Sequence, residues 1–211
     1  MQCAARKSPR AGKLRTVDGH DVLFVADPGK APQQTRTQYA KPDDSSEGTY
    51  TWRDRLVEYN QTPGVNPLSL LPAYQLYDNR AYQGLVSKFG VDKIFILSAG
   101  WGLVTANYLL PDYDITFSAM AEPYKRRHKQ EVYRDFCALA DDADDIVFLG
   151  GKDYLPLFCS LTKRYASQKV IYYNSAITPS LPQGYRAVKY VTTTRTNWHY
   201  ECAGDLISGR L

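Results

Sequence analysis

KIFILSAGWGLVTANYLLPDYDITFS, residues 93–118, is the stretch whose reading decides the fold. Its first six residues, KIFILS (93–98), form an unbroken apolar run, the pattern of a strand covered on both faces. The run stops at a small-residue loop, Ala99-Gly100-Trp101-Gly102-Leu103, and a second punctuation follows at Pro111. Working outward, similar short apolar runs appear at DVLFVA (21–26), DIVFLG (145–150), KVIYYN (169–174) and RAVKYVT (186–192). Helical spacing appears between them: TWRDRLVEY (51–59), a segment capped by Asp78 and stopped at Gly90, a basic helix over 122–140, a helix over 153–165, and a closing helix from near Asn197. Strands alternating with helices predict an α/β domain of three layers, α/β/α, around a mainly parallel sheet. Residues 1–16 are rich in Lys and Arg and read as a basic flexible arm. Residues 17–211 read as one domain, in which 27–50, with Pro28, Pro32 and Pro42, is a long loop.

Bulk properties narrow the function classes. A chain of 211 residues, 44% hydrophobic and 23% charged, is an ordinary globular protein. It has no apolar run near the ~20 residues of a membrane span, and its basic start, with no apolar stretch behind it, does not read as a secretory leader. The four cysteines form no CxxC pair and do not cluster with His20, His128 or His199. Cys137 and Cys159 read as reduced core thiols, which points to the cytoplasm, and neither a metal nor a cofactor is expected. The net charge of +4 is compatible with nucleic acid. Seventeen tyrosines offer flat side chains for stacking or for a core.

In a parallel sheet, ligands bind beyond the carboxyl ends of the strands. That rule selects the loops after Ala26, Ser98, Leu149 and Val191. Asp27-Pro28-Gly29-Lys30 presents a carboxylate and an ammonium at a strand end, where Asp27 can orient or deprotonate a water. Ser98, Gly100 and Trp101 allow a close backbone approach and stacking on a flat ligand. In Pro111–Thr116, Asp112 and Asp114 bracket Tyr113, giving one carboxylate near a reacting centre and one aromatic support. Lys125, Arg126, Arg127, His128 and Lys129 form a run whose four cations can neutralise phosphates. The stretch 192–200 gathers hydroxyls, Arg195, Asn197, Trp198 and His199 ahead of the last helix, a setting for a phosphate or a base edge. Each of these features also has a plain structural reading: a capped turn, a core aromatic, or a solvated charged face.

Several stretches together resemble a bacterial and phage domain family related to the YaaA peroxide-stress proteins. They are LYDNRAYQGLVSKFG (76–90), ILSAGWGLV (96–104), LPDYDITFS (110–118) and FLGGKDYLPLF (148–158). Gly29-Lys30, Leu97-Ser98-Ala99 with Gly102-Leu103, Tyr113-Asp114, and Gly151 with Tyr154 match that family's pattern over about residues 21–160. The order of an Asp-Pro turn after the first strand, a central strand and a late histidine loop also looks like the layout of uracil-DNA glycosylases. That similarity implies a uracil-DNA-glycosylase-like fold, with Asp27-Pro28 positioning water and His199 contacting DNA and base. It places the chain near bacterial glycosylases that excise modified bases from phage DNA.

The expected function is therefore cleavage of an N-glycosidic bond of a modified base in DNA, by base flipping, in defence against phage. Asp27 and Asp114 are the expected catalytic acids. Ser98, Gly100, Trp101, Tyr113, Asn197 and His199 would hold the base. Lys30, Lys125, Arg126, Arg127, Lys129 and Arg195 would hold DNA phosphates. Two alternatives stand beside it: a non-catalytic DNA-binding or stress-response module of the YaaA type, and an enzyme acting on free nucleosides or nucleotides. The substrate base and the oligomeric state are left open by the sequence.

Overall fold

The computed structural model describes residues 1–62, 64–142, 144–192, 194 and 196–211. In chain order its elements are β1 (Leu14–Arg15), β2 (Asp21–Val25), β3 (Thr37–Ala40), β4 (Ser45–Glu47), β5 (Tyr50–Thr51), α1 (Trp52–Gln61), β6 (Leu71–Pro72), α2 (Ala73–Leu76) and α3 (Arg80–Phe89). Then follow β7 (Phe95–Ser98), β8 (Gly102–Thr105), β9 (Leu109–Leu110), β10 (Tyr113–Asp114), β11 (Phe136–Cys137), β12 (Ile146–Leu149), α4 (Leu155–Thr162), β13 (Lys169–Tyr173), β14 (Tyr185–Lys189) and α5 (Trp198–Ile207). The fold is mixed α/β, built from several small sheets, some parallel and some mixed. Among the described residues no helix is long and apolar enough to cross a membrane.

In one sheet, β2 pairs in parallel with β3 and β10, and antiparallel with β1. A second is fully parallel, in the order β12-β13-β14. In a third, β7 and β8 form an antiparallel hairpin, with β11 parallel to β8. The expected mainly parallel sheet is interrupted at this hairpin for a local reason. Gly102 has φ +88°, and a Cβ there would lie 2.4 Å from the Phe136 carbonyl oxygen. Only glycine fits that conformation beside a neighbouring backbone, and it turns the chain straight back instead of releasing it into a helix.

Residues 1–3 correct the reading of a flexible arm. The Gln2 N–H bonds the Leu149 carbonyl at 3.0 Å, while Met1 and Cys3 exchange bonds with Leu97 at 2.8 and 2.9 Å. The segment thus lies between β7 and β12 and connects their sheets through backbone hydrogen bonds. Cys3 is buried. Farther along, Ser8 donates to Leu76 and Asp78 donates to Arg6, so this part of the chain runs beside α2 and its exit. The Lys and Arg content of 1–16 hid this buried bridge, because three residues are too few to show periodicity. The loop read over 27–50 likewise holds β3, β4 and β5.

The helices follow their caps. Thr51 and Asp54 form a capping box at α1, the Thr51 hydroxyl accepting from Asp54 N–H at 3.2 Å and the Asp54 carboxylate from Thr51 N–H at 3.0 Å. Trp52 and Leu56 are buried on the core face of that helix. The α3 cap is Asn79, accepting from Ala81 N–H at 2.9 Å, one residue beyond the expected Asp78. Asp78 instead pairs with Arg6 at 2.8 Å. Gly90, at φ +88°, ends α3 as read.

The basic helix over 122–140 does not form. Its place is taken by a single 3-10 turn at Pro123–Lys125, an irregular segment and β11. Burial of Arg127 overrides the local propensity. Its guanidinium turns inward to Asp135 and the backbone, which a straight helix would not allow. Cys137 and Cys159 are only half-buried, whereas Cys3 and Cys202 are the buried thiols, and all four are free.

Candidate active site

The parallel pair β2 and β10 sets the site. Tyr113 lies opposite Phe24 and Asp114 opposite Val25. Asp27 follows Val25 by two residues. At ~3.3 Å per residue and ~4.8 Å between strands, the Asp27 and Asp114 Cα atoms sit roughly 8 Å apart. Asp27 thus stands at the carboxyl end of its strand next to Asp114, as the switch-point rule requires. Each acid is half exposed and holds a lysine: Asp27 pairs with Lys30 at 2.8 Å, and Asp114 with Lys125 at 2.8 Å. The segment after Glu122 crosses both strand ends. Asp27 N–H donates to Tyr124 at 2.8 Å, and Thr116 N–H donates to Lys125 at 2.9 Å.

Electrostatics divides these groups. The hydrogen bond from Lys30 holds the Asp27 carboxyl below the usual carboxylate range. Burial pushes Asp112 the other way, above that range, with Lys7 and Lys13 opposing. Bonds to Asp114 and Glu122 raise Lys125 and keep it cationic. Asp27 is thereby held toward its ionised form and Asp112 toward its protonated form.

Behind the carboxylates lies a hydroxyl chain. Tyr113 is buried, and its phenol meets the Tyr77 phenol at 2.8 Å and accepts from the Ser98 hydroxyl at 2.9 Å. Burial raises both phenols well above the ordinary tyrosine value, so they serve as neutral donors and acceptors. Lys7 lies over the Tyr113 ring, its Nζ 4.2 Å from the centroid. Lys7 is marked by no sequence motif, and Tyr77, although inside the stretch 76–90, is not among the expected site residues. Lys7 sits in what reads as an arm and Tyr77 beside a helix cap, and only the backbone pairing of Lys7 with Tyr77 brings them here.

The remaining expected residues divide sharply. Trp101 offers no face to a base. It is fully buried, edge-on to Phe24 at 5.0 Å and stacked on Phe136 at 6.5 Å. Gly100 is core as well, since a Cβ there would meet Ile115 at 3.1 Å and Tyr113 at 3.3 Å. Ser98 Oγ accepts from Gly100 and Trp101 N–H at 3.2 and 3.1 Å, so it caps the hairpin turn. Two buried arginines clamp that turn from outside. Arg53 donates to the Gly100 and Trp101 carbonyls and pairs with Asp43 at 2.5 Å. Arg127 donates to the Ala99 carbonyl at 2.8 Å and forks onto both Asp135 oxygens at 2.9 and 2.6 Å.

Arg127 is therefore not a phosphate ligand. Lys129 pairs with Asp153 at 2.7 Å, while the Arg126 guanidinium, among the described residues, donates to the Ala119 carbonyl alone, at 3.3 Å. His199 is corrected too. It sits buried on α5, accepts from the Gln2 amide at 3.3 Å and packs on Tyr200, and burial lowers its pKa to about 4. Asn197 precedes α5 with φ +63° and makes no side-chain cap bond. Arg195 lies outside the described residues. Two cavities, an open groove of about 830 Å³ by Ser8 and Tyr74 and a smaller one of about 210 Å³ by Arg127 and Tyr133, are lined by neither Asp27 nor Asp114.

A family model described as a family of unknown function (DUF6884) matches residues 69–178. No curated protein and no solved structure matches the chain. The matched span contains Tyr77, Ser98, Asp112, Tyr113, Asp114 and Lys125 but begins after Lys7 and Asp27. The chain belongs to this family.

Proposed function

We propose that this member of the DUF6884 family hydrolyses an N-glycosidic bond, with a modified base in DNA as its substrate class. The observation that carries the reading is the pair Asp27 and Asp114 at the carboxyl ends of adjacent parallel strands. With their Cα atoms roughly 8 Å apart, both carboxylates can approach a sugar and a water held between them, as the two acids of a glycosidic-bond hydrolase do. Asp27, held ionised by Lys30, orients the water. Asp114 stabilises positive charge developing at the sugar once Lys125 turns from it to a phosphate. Asp112, raised by burial, is the carboxyl suited to protonate the leaving base.

The reading takes the chain as a three-layer α/β/α protein of uracil-DNA-glycosylase-like order, with kinship to the YaaA-related domains and a role against phage. The Asp-Pro turn after β2 supports that order, and the buried His199 takes no part in it. Lys30, Lys125, Arg126 and Lys129 remain as phosphate contacts. Base flipping is needed because the bond is out of reach within a duplex.

One observation favours a second reading, an enzyme acting on free nucleosides or nucleotides. Arg127 is committed to Asp135, and Lys125 and Lys129 to Asp114 and Asp153, so less positive surface is free for a duplex than the sequence suggests. Incubation with DNAs carrying different modified bases, scoring abasic sites, tests the first reading. Parallel incubation with nucleosides and nucleotides, scoring free base, tests the second. Binding of DNA without release from any substrate would overturn both and leave a non-catalytic module.

A further inference from the structure

Lys7 has no place in the hydrolytic scheme, yet it stands in the same cluster. Its backbone is pinned on both sides, with Ser8 N–H on Leu76 at 2.7 Å and Asp78 N–H on Arg6 at 3.1 Å. Its side chain lies on the Tyr113 ring, itself fixed by Tyr77 and Ser98. Among the described residues no carboxylate oxygen lies within 4.0 Å of its Nζ, although Asp112, Asp114, Lys125 and Cys3 all act on it through space. Lys30, Lys125 and Lys129 each hold a carboxylate, whereas Lys7 holds an aromatic face. The residue is partly exposed while its ammonium end is largely enclosed beside the Tyr113 ring, so an incoming aldehyde has to be brought to it within the site.

We propose that Lys7 is a nucleophilic amine that forms an imine with the C1 aldehyde of a 2-deoxyribose opened in this site. The neutral Nζ attacks C1, forming an N–C bond, and the carbonyl π pair moves to oxygen, which takes up a proton. The resulting hydroxyl takes up a second proton and leaves as water, nitrogen gives up both of its protons, and the products are one imine and one water. If the sugar is an abasic site in DNA, the carboxylate of Asp114 or Asp112 can accept the C2 proton. The freed electron pair then expels the 3′-phosphate, cutting the strand. Burial lowers the Lys7 pKa, with Lys125 adding to that effect and Asp112, Asp114 and Cys3 opposing it, so more of the amine is neutral than in an exposed lysine.

The inference rests on the reading that sugars are handled here, but its test does not need the chain to release a base. Purified protein is incubated with an oligonucleotide carrying a preformed abasic site, and separately with 2-deoxyribose 5-phosphate, in the presence of sodium cyanoborohydride. Peptide mass mapping then locates any reduced adduct. An adduct on Lys7 is expected, at least tenfold reduced in Lys7→Arg, whose guanidinium does not form the imine, and retained in Asp27→Asn. Trapping on the oligonucleotide but not on the free sugar identifies DNA as the source of the aldehyde, and the reverse identifies a small substrate. No adduct with either probe, or an adduct only on other amines of the wild-type protein, would overturn the proposal whether or not Lys7→Arg folds. Adduct formation without base release from intact DNA or nucleosides would leave Lys7 standing and reject the hydrolase.

Discussion

Arg127→Ala separates two roles that the sequence assigns equally well to this residue. The Arg127 side chain is 3% exposed and its partner Asp135 6%. The guanidinium forks onto Asp135, donates to the Ala99 and Glu131 carbonyls, and lies 3.8 Å from the Tyr133 ring centroid. Truncation leaves a buried carboxylate without its cation and two carbonyls without a donor. Breaking a buried pair by removing one partner costs about 3–5 kcal/mol. In a domain of this size each kcal/mol moves the melting temperature by roughly 2–4 °C, so Tm should fall by roughly 6–20 °C. Scanning calorimetry measures it, and Arg127→Met with Asp135→Leu should recover most of the loss, because the charge and its orphaned partner leave together. A phosphate contact would behave differently: Tm would hold, and the slope of log K against log salt would flatten by about 0.9. An unchanged Tm in Arg127→Ala would refute the clamp.

Asp27→Asn and Asp114→Asn should each lower product formation by orders of magnitude while Tm stays within a few degrees, since exposed ion pairs contribute at most ~1 kcal/mol. Near wild-type rates in both folded variants would make these acids turn residues. Arg126→Ala, which leaves the clamp intact, should keep Tm and flatten the salt dependence of DNA binding by about one phosphate contact; an unchanged slope would make this arginine a solvated side chain. His199 has a folded pKa of about 4 against 6.5 when free. The unfolded chain therefore binds more protons between those values, so the contribution of His199 is full above pH 6.5 and is lost as pH falls toward 4. It amounts to up to about 3 kcal/mol, and denaturant midpoints of wild type and His199→Gln across that range should converge at the acid end.

What the sequence determined by itself was the local periodic part of the fold and the address of the two acids. KIFILS, DIVFLG and KVIYYN are apolar without interruption and became β7, β12 and β13, because a continuous run needs cover on both faces wherever it lies. Helices with a capping residue and a glycine stop, such as α3, were readable to within a residue or two. Asp27 and Asp114 could be picked out because a strand followed by a turn fixes where its last side chains emerge.

Tertiary structure decided the rest. The basic run 125–129 reads the same whether it faces water or a buried Asp135, since a pattern of charges carries no record of its partner. The bridge at residues 1–3 is too short to show a period, and its place between β7 and β12 depends on backbone groups that all residues share. Lys7 lies 105 residues before Asp112 in the chain, and only the pairing of its backbone with Tyr77 brings it to Tyr113. Trp101 was legible as an aromatic in a glycine loop, but whether it lids a core or meets a ligand was settled by Phe24, Phe136 and Arg53, residues from elsewhere in the chain that had to arrive first.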